Sequence, residues 1–125
     1  MISKLPILAN RIRKVPKQFS WIDHRLVRDR HIEKFTHPAG ALYLFLVTVA
    51  DANGLSYYGD KSIMKRLCMD SNTLQNARDN LIQNQMIAWH KPLYQVLSLD
   101  SRARSFAEQP LSLGSIFKKA MEETQ

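Results

Sequence analysis

Cysteine is almost missing from this chain. Cys68 is the only one among 125 residues, so no internal disulfide can form. A lone thiol fits a reducing compartment, and a cytoplasmic location is expected. Cys68 stands among apolar residues, so it is expected to be a buried small hydrophobe rather than a nucleophile. Long hydrophobic runs are missing too. The longest, Ala41–Ala50, has ten residues, against the roughly 20 that a membrane-spanning helix needs, so no membrane partner is expected. Acid is missing from the N-terminus, where no Asp or Glu precedes Asp23. The opening stretch is too short and too interrupted for a secretory signal, and Pro6 and Pro16 oppose the amphipathic helix of a transit peptide.

Catalytic patterns are also absent. The four glycines, Gly40, Gly54, Gly59 and Gly114, form no phosphate-cradling loop. There is no H-E-x-x-H and no G-x-S-x-G. His24 and His31 would share a helix face but stand about 10.5 Å apart along its axis, too far for one metal ion. No carboxylate pair suits general acid–base work. No catalytic residue, metal or cofactor is therefore expected.

What the chain has is positive charge and helical periodicity. The net charge is +7, which points to an anionic partner, nucleic acid being the commonest. Residues 1–18 hold Lys4, Arg11, Arg13, Lys14 and Lys17 and read as a basic arm. Leu5, Ile7, Leu8, Ile12 and Val15 are too apolar for an ordinary solvated tail, so partial packing of the arm is expected. Ser20-Trp21-Ile22-Asp23 has the form of a capping box and predicts a helix over 21–33. Trp21 is expected to pack over the domain. Thr36 and Pro38 open the next helix, through Ala50, which is apolar on nearly every side and so is expected to be buried. Asn53-Gly54 turns the chain into a strand, Leu55–Tyr58. Ile63, Met64 and Leu67 mark a short helix. Ser71 is expected to cap a second one, Asn72–Gln85, whose buried stripe is Leu74, Ala77, Leu81 and Ile82. Met86–His90 and Tyr94–Leu99 read as strands split by Lys91-Pro92-Leu93. Leu44, Leu46, Leu67, Leu74, Leu81 and Ile87 are expected to share one core. Ile116, Phe117 and Ala120 give a small apolar face to a tail helix over 115–123.

Several stretches carry a resemblance. They are Leu42-Tyr43-Leu44-Phe45-Leu46, Ala50-Asp51-Ala52-Asn53-Gly54, Ile63 with Leu67, and Ser71-Asn72-Thr73-Leu74 followed by Ala77, Leu81-Ile82 and Met86-Ile87. Over about residues 36–99 the chain resembles the winged-helix domains of plasmid and phage replication initiators and of primosomal helicase-loading proteins. Related domains occur as small proteins on mobile elements. The chain departs from that pattern at Cys68-Met69, where a small residue is usual, and in its very short wing. The resemblance implies an α+β winged helix, that is, a helix-turn-helix with a short β-hairpin wing. Here it carries an extra N-terminal helix and the basic arm. The expected organisation is arm 1–18, winged helix 19–99 and tail 100–125. The resemblance also implies a bacterial, duplex-binding module that serves a replicon or mobile element.

On that reading Asn72–Gln85 is the recognition helix. Asn and Gln can bond adenine through N6 and N7, which makes Asn72, Gln75 and Asn76 the candidate base contacts. Candidate backbone contacts are Lys61, Lys65, Arg66, Ser71, Thr73, Arg78, His90 and Lys91, with Arg11, Arg13, Lys14 and Lys17 of the arm. A phosphate is also expected at the helix N-terminus. Double-stranded DNA is the expected partner. A replication or mobile-element protein is an expected partner through the C-terminal tail, and a homodimer is left open. Two other readings also stay open: a transcriptional repressor with the same contacts, and a protein–protein adaptor that uses the scaffold for docking.

Overall fold

The computed structural model describes residues 4–100, so the expected tail helix lies outside the described residues. The fold is α+β. After a 3-10 turn at Ala9–Arg11 come α1 (Arg25–Arg28), a second 3-10 turn (His31–Lys34), α2 (His37–Val49) and β1 (Leu55–Tyr57). Then come α3 (Asp60–Leu67), α4 (Ser71–Gln83), β2 (Ile87–His90) and β3 (Leu93–Val96). The strands form one antiparallel sheet in the order β1-β3-β2, with Ser56 opposite Tyr94 and Trp89 opposite Tyr94 on the other side.

The predicted helix over 21–33 is replaced by two separate turns. Arg30 between them adopts a left-handed φ of 63°. Only Leu26 and His31 of this stretch are buried, so tertiary packing cannot hold a longer helix. The capping box does not form. Ser20 Oγ donates instead to the Thr48 carbonyl at 3.1 Å, and the Asp23 carboxylate accepts from the Arg25 backbone N–H at 2.9 Å. Trp21 is 74% exposed rather than packed.

Helix α2 begins as expected. Thr36 Oγ1 accepts from the Ala39 N–H at 3.2 Å, and Pro38 occupies the first turn, where an N–H is not needed. The helix is not buried all round. Ala39, Leu42, Tyr43 and Leu46 face α4 and the sheet, whereas Leu44 is 55% exposed and leaves the expected core. A three-stranded sheet and a few short helices cover α2 on one side only.

The turn after α2 is fixed by Asp51, whose carboxylate accepts from the N–H groups of Asn53 and Leu55 at 2.8 and 2.9 Å. Gly54 has a φ of 82°, and a Cβ there would lie 2.7 Å from the Val96 carbonyl oxygen. Only glycine permits that approach.

Between α3 and α4, Cys68 holds a left-handed C-cap at φ 52° and is exposed, not buried as expected. The residue that caps α4 is Asp70, not Ser71: its carboxylate accepts from the Thr73 N–H at 2.8 Å. The buried stripe of α4 is Leu74, Ala77, Arg78 and Leu81, while Ile82 is 38% exposed. The core centres on Leu42, Leu46, Ile63, Leu74, Leu81, Met86, Ile87 and Tyr94, with Leu67 half-buried against it.

The arm does not pack on its own domain: Leu5, Ile7 and Val15 are 78%, 98% and 76% exposed.

Leu46→Ala or Leu81→Ala should destabilise the fold by about 2–5 kcal/mol, as full burial demands. Leu44→Ala should change it by no more than about 0.5 kcal/mol, as for other exposed sites. Urea unfolding monitored by circular dichroism checks the contrast.

Candidate nucleic-acid interface

Burial of Leu74, Ala77 and Leu81 on one side of α4 fixes what the other side presents. On a 3.6-residue period Asn72, Gln75, Asn76, Asp79 and Gln83 fall opposite that stripe, and all five are exposed. The three candidate base-reading amides therefore share one open face. Asp79 lies on it too and makes it less welcoming to phosphate. Ser71 is exposed at the first residue of the helix and Thr73 is half-buried.

The N-terminus of α4 already has an anion. Hydrogen bonds from Thr73, first from its side chain and then from its backbone N–H, hold the Asp70 carboxyl below its usual range, so it stays charged at the positive helix end. A phosphate there would meet that carboxylate, so the expected helix-end phosphate site is filled by the chain itself.

Cations come from α3 instead. Ile63 is buried and Met64 and Leu67 are half-buried against the core, which turns Lys61, Lys65 and Arg66 outward. α3 packs against α4. Among the described residues these three side chains make no ion pair. The cations of residues 25–30 differ: Arg25 pairs with Asp23 at 2.7 Å, Arg28 with Asp29 at 3.4 Å and Arg30 with Glu33 at 3.9 Å. His90 and Lys91 are exposed where β2 turns into β3, and the turn is tied back by the Tyr58 N–H to the Pro92 carbonyl at 3.2 Å. Arg11, Arg13, Lys14 and Lys17 are exposed along the arm and, among the described residues, unpaired.

Arg78 leaves the set of candidate phosphate contacts. It is 4% exposed, and its guanidinium donates to Asp60 Oδ1 and to the Tyr94 hydroxyl, each at 2.9 Å. It also lies 3.7 Å from the centre of the Trp89 ring. Burial alone would lower its pKa, but the bonds to Tyr94 and Asp60 outweigh burial and raise it. The sequence pattern placed Arg78 at the edge of the apolar stripe, and no motif marks it as a core cation.

His31 is buried and His24 exposed, so they share no face. Among the described residues no cluster of His, Cys, Asp or Glu could hold a metal ion, and no helix is long and apolar enough to cross a membrane. Compared with known proteins, the chain matches no family model, no curated protein and no solved structure.

Arg78→Ala should destabilise the fold by on the order of 3 kcal/mol, because Tyr94 and Asp60 lose their donor together. Arg78→Lys should recover only part of this, since an ammonium cannot stack on Trp89 while bonding both oxygens. Chemical denaturation of the three proteins measures it. Asp23 supplies a pH test. Hydrogen bonds from Arg25 hold its carboxyl from 3.8 down to about 2. A lowered folded pKa gives stability that is complete above the unfolded value and lost as pH falls through the folded one. The margin of the native protein over Asp23→Asn should therefore be flat above about pH 5 and vanish toward pH 2, as read from thermal melts.

Proposed function

We propose that residues 19–99 form a winged helix that binds duplex DNA, with α4 in the major groove and α3 against the backbone. The proposed role is accessory to the replication or maintenance of a replicon or mobile element. One observation carries the reading. An exposed face of three amide side chains on α4 adjoins a helix, α3, whose exposed cations have no ion-pair partner among the described residues. Amides suit base edges and unpaired cations suit phosphates. The order of helix, strand, helix, helix and hairpin supports the architecture, as does the strand order β1-β3-β2. The replicon role rests on the sequence resemblance.

In this reading Lys61, Lys65, Arg66 and Lys91 supply sequence-independent attraction. Asn72, Gln75 and Asn76 supply preference, with adenine the favoured partner. Asp79 can accept from a cytosine amino group, which would convert its penalty at phosphate into selectivity at a base.

The test is a titration of labelled duplex followed by fluorescence anisotropy at several salt concentrations. If about five cations meet phosphates, log K should fall with log salt at a slope of about −4.5. Lys65→Ala should weaken binding to all duplexes alike and flatten the slope by about 0.9. Asn76→Ala should relax sequence preference, at about 1–3 kcal/mol, and leave the slope unchanged. A slope near zero for the native protein would overturn the reading and favour a protein-docking role for the scaffold.

A further inference from the structure

Among the described residues the N-terminal arm is the longest stretch without a buried side chain. Leu5, Ile7, Leu8, Ile12 and Val15 are between 58% and 98% exposed. Phe19 and Trp21, which follow, are 65% and 74% exposed. Seven large apolar side chains in sequence, all in water, need a cover.

The domain carries a groove of about 600 Å³ to match. Tyr43 and Val47 of α2 line one part, Leu97 and Leu99 another, and Asp23 and Asp51 supply its acid. Phe19 and Trp21 also line it. Arg25, its one cation, pairs with Asp23, so Asp51 carries the lining's net charge of −1. The arm has five cations and no acid. Apolar surface and charge therefore match in one pairing.

We propose that two copies of the chain exchange arms, the apolar side chains of residues 5–15 of each seating in the groove of the other. In the single chain the arm leaves its own groove at Phe19, and residues 4–18 are exposed throughout rather than seated in it. The next residue, Ser20, is held at the Thr48 carbonyl. The contact is made twice about a twofold axis, which doubles the surface that one arm and one groove bury. A single-stranded nucleic acid suits the groove less well. It would find Phe19 and Trp21 to stack on, but it would also face two carboxylates and leave five aliphatic side chains uncovered.

The proposal does not depend on duplex binding, and its test contains no DNA. Sedimentation equilibrium of the full chain at micromolar concentrations should find a species of twice the 14.5 kDa chain mass. An arm variant, Ile12→Asp with Val15→Asp, and a groove variant, Ala52→Arg, should each weaken the dimer at least tenfold. Ile12, Val15 and Ala52 are all exposed, so circular dichroism should stay native. Ala52 lines the groove, where arginine adds bulk and repels the basic arm. A mixture of the two variants should dimerise more strongly than either alone, because one intact arm then meets one intact groove. A native chain that stays monomeric would overturn the proposal, as would a dimer indifferent to both variants or a mixture without rescue. In a final arm oligothymidylate is added: a monomer whose Trp21 fluorescence it quenches would overturn the proposal in favour of a single-strand stacking site.

Discussion

One guanidinium ties the elements together. Arg78 starts on α4, reaches Asp60 at the beginning of α3 and the Tyr94 hydroxyl on β3, and lies against Trp89 on β2. A buried cation is costly unless it is both paired and hydrogen-bonded. Here Asp60 and Tyr94 meet both needs from two elements, so a shift of either leaves the buried guanidinium short of a partner. Burial pushes the Tyr94 hydroxyl pKa up and the adjacent Arg78 pulls it back, so the hydroxyl stays neutral and accepts the Arg78 hydrogen bond. Asp60 gains as well, since its carboxylate stands in the first turn of α3, where the helix dipole favours negative charge. The angle between the two helices and the sheet is thereby fixed by hydrogen-bond geometry as well as by apolar contact.

Local signals decided how much of this was legible in the sequence. Thr36 and Pro38 mark the start of α2, Asp51 to Gly54 mark its turn, and the period of Leu74, Ala77 and Leu81 marks the inner face of α4. Each is read within about four residues, and each element formed close to its expected bounds. The misreadings concern partners distant in sequence. Leu44 is as apolar as Leu46, but it faces away from everything the small domain can bring to α2. Arg78 finds its acid in Asp60, 18 residues earlier, and not in the adjacent Asp79, so nothing local distinguishes it from a surface arginine. Ser20 offered a capping box, yet a bond to Thr48, 28 residues on, competed for its hydroxyl. The amide face of α4 could be read in advance because it is the complement of the apolar stripe. That Arg78 would lie in the core could not, whereas the Asp70 cap, three residues from Thr73, is a local signal that the choice of Ser71 passed over.

Those two residues shape the proposed interface by subtraction. With Arg78 inside and Asp70 at the tip, α4 presents no free cation from its own sequence, only amides and Asp79. Attraction to phosphate must then come from α3 and the hairpin turn, where the described fold leaves Lys61, Lys65, Arg66 and Lys91 unpaired. Affinity and selectivity would thus reside on different elements, the helix that reads being electrostatically poor and its neighbours rich. Such a division makes non-specific binding depend on salt through α3 and leaves the preference of α4 largely insensitive to it.

The arm follows a different logic from the rest of the chain. A domain this small has one core, and α2, α4 and the sheet fill it without any residue before Leu26. The apolar side chains of the arm therefore have no place inside, and proline at positions 6 and 16 denies them a continuous helix of their own. Their positive charge keeps them soluble while they wait for a surface that is apolar and acidic together. The groove beside α2 meets that description on this same molecule. In the single chain the arm stays exposed, and in the proposed exchange the groove of each copy covers the arm of the other.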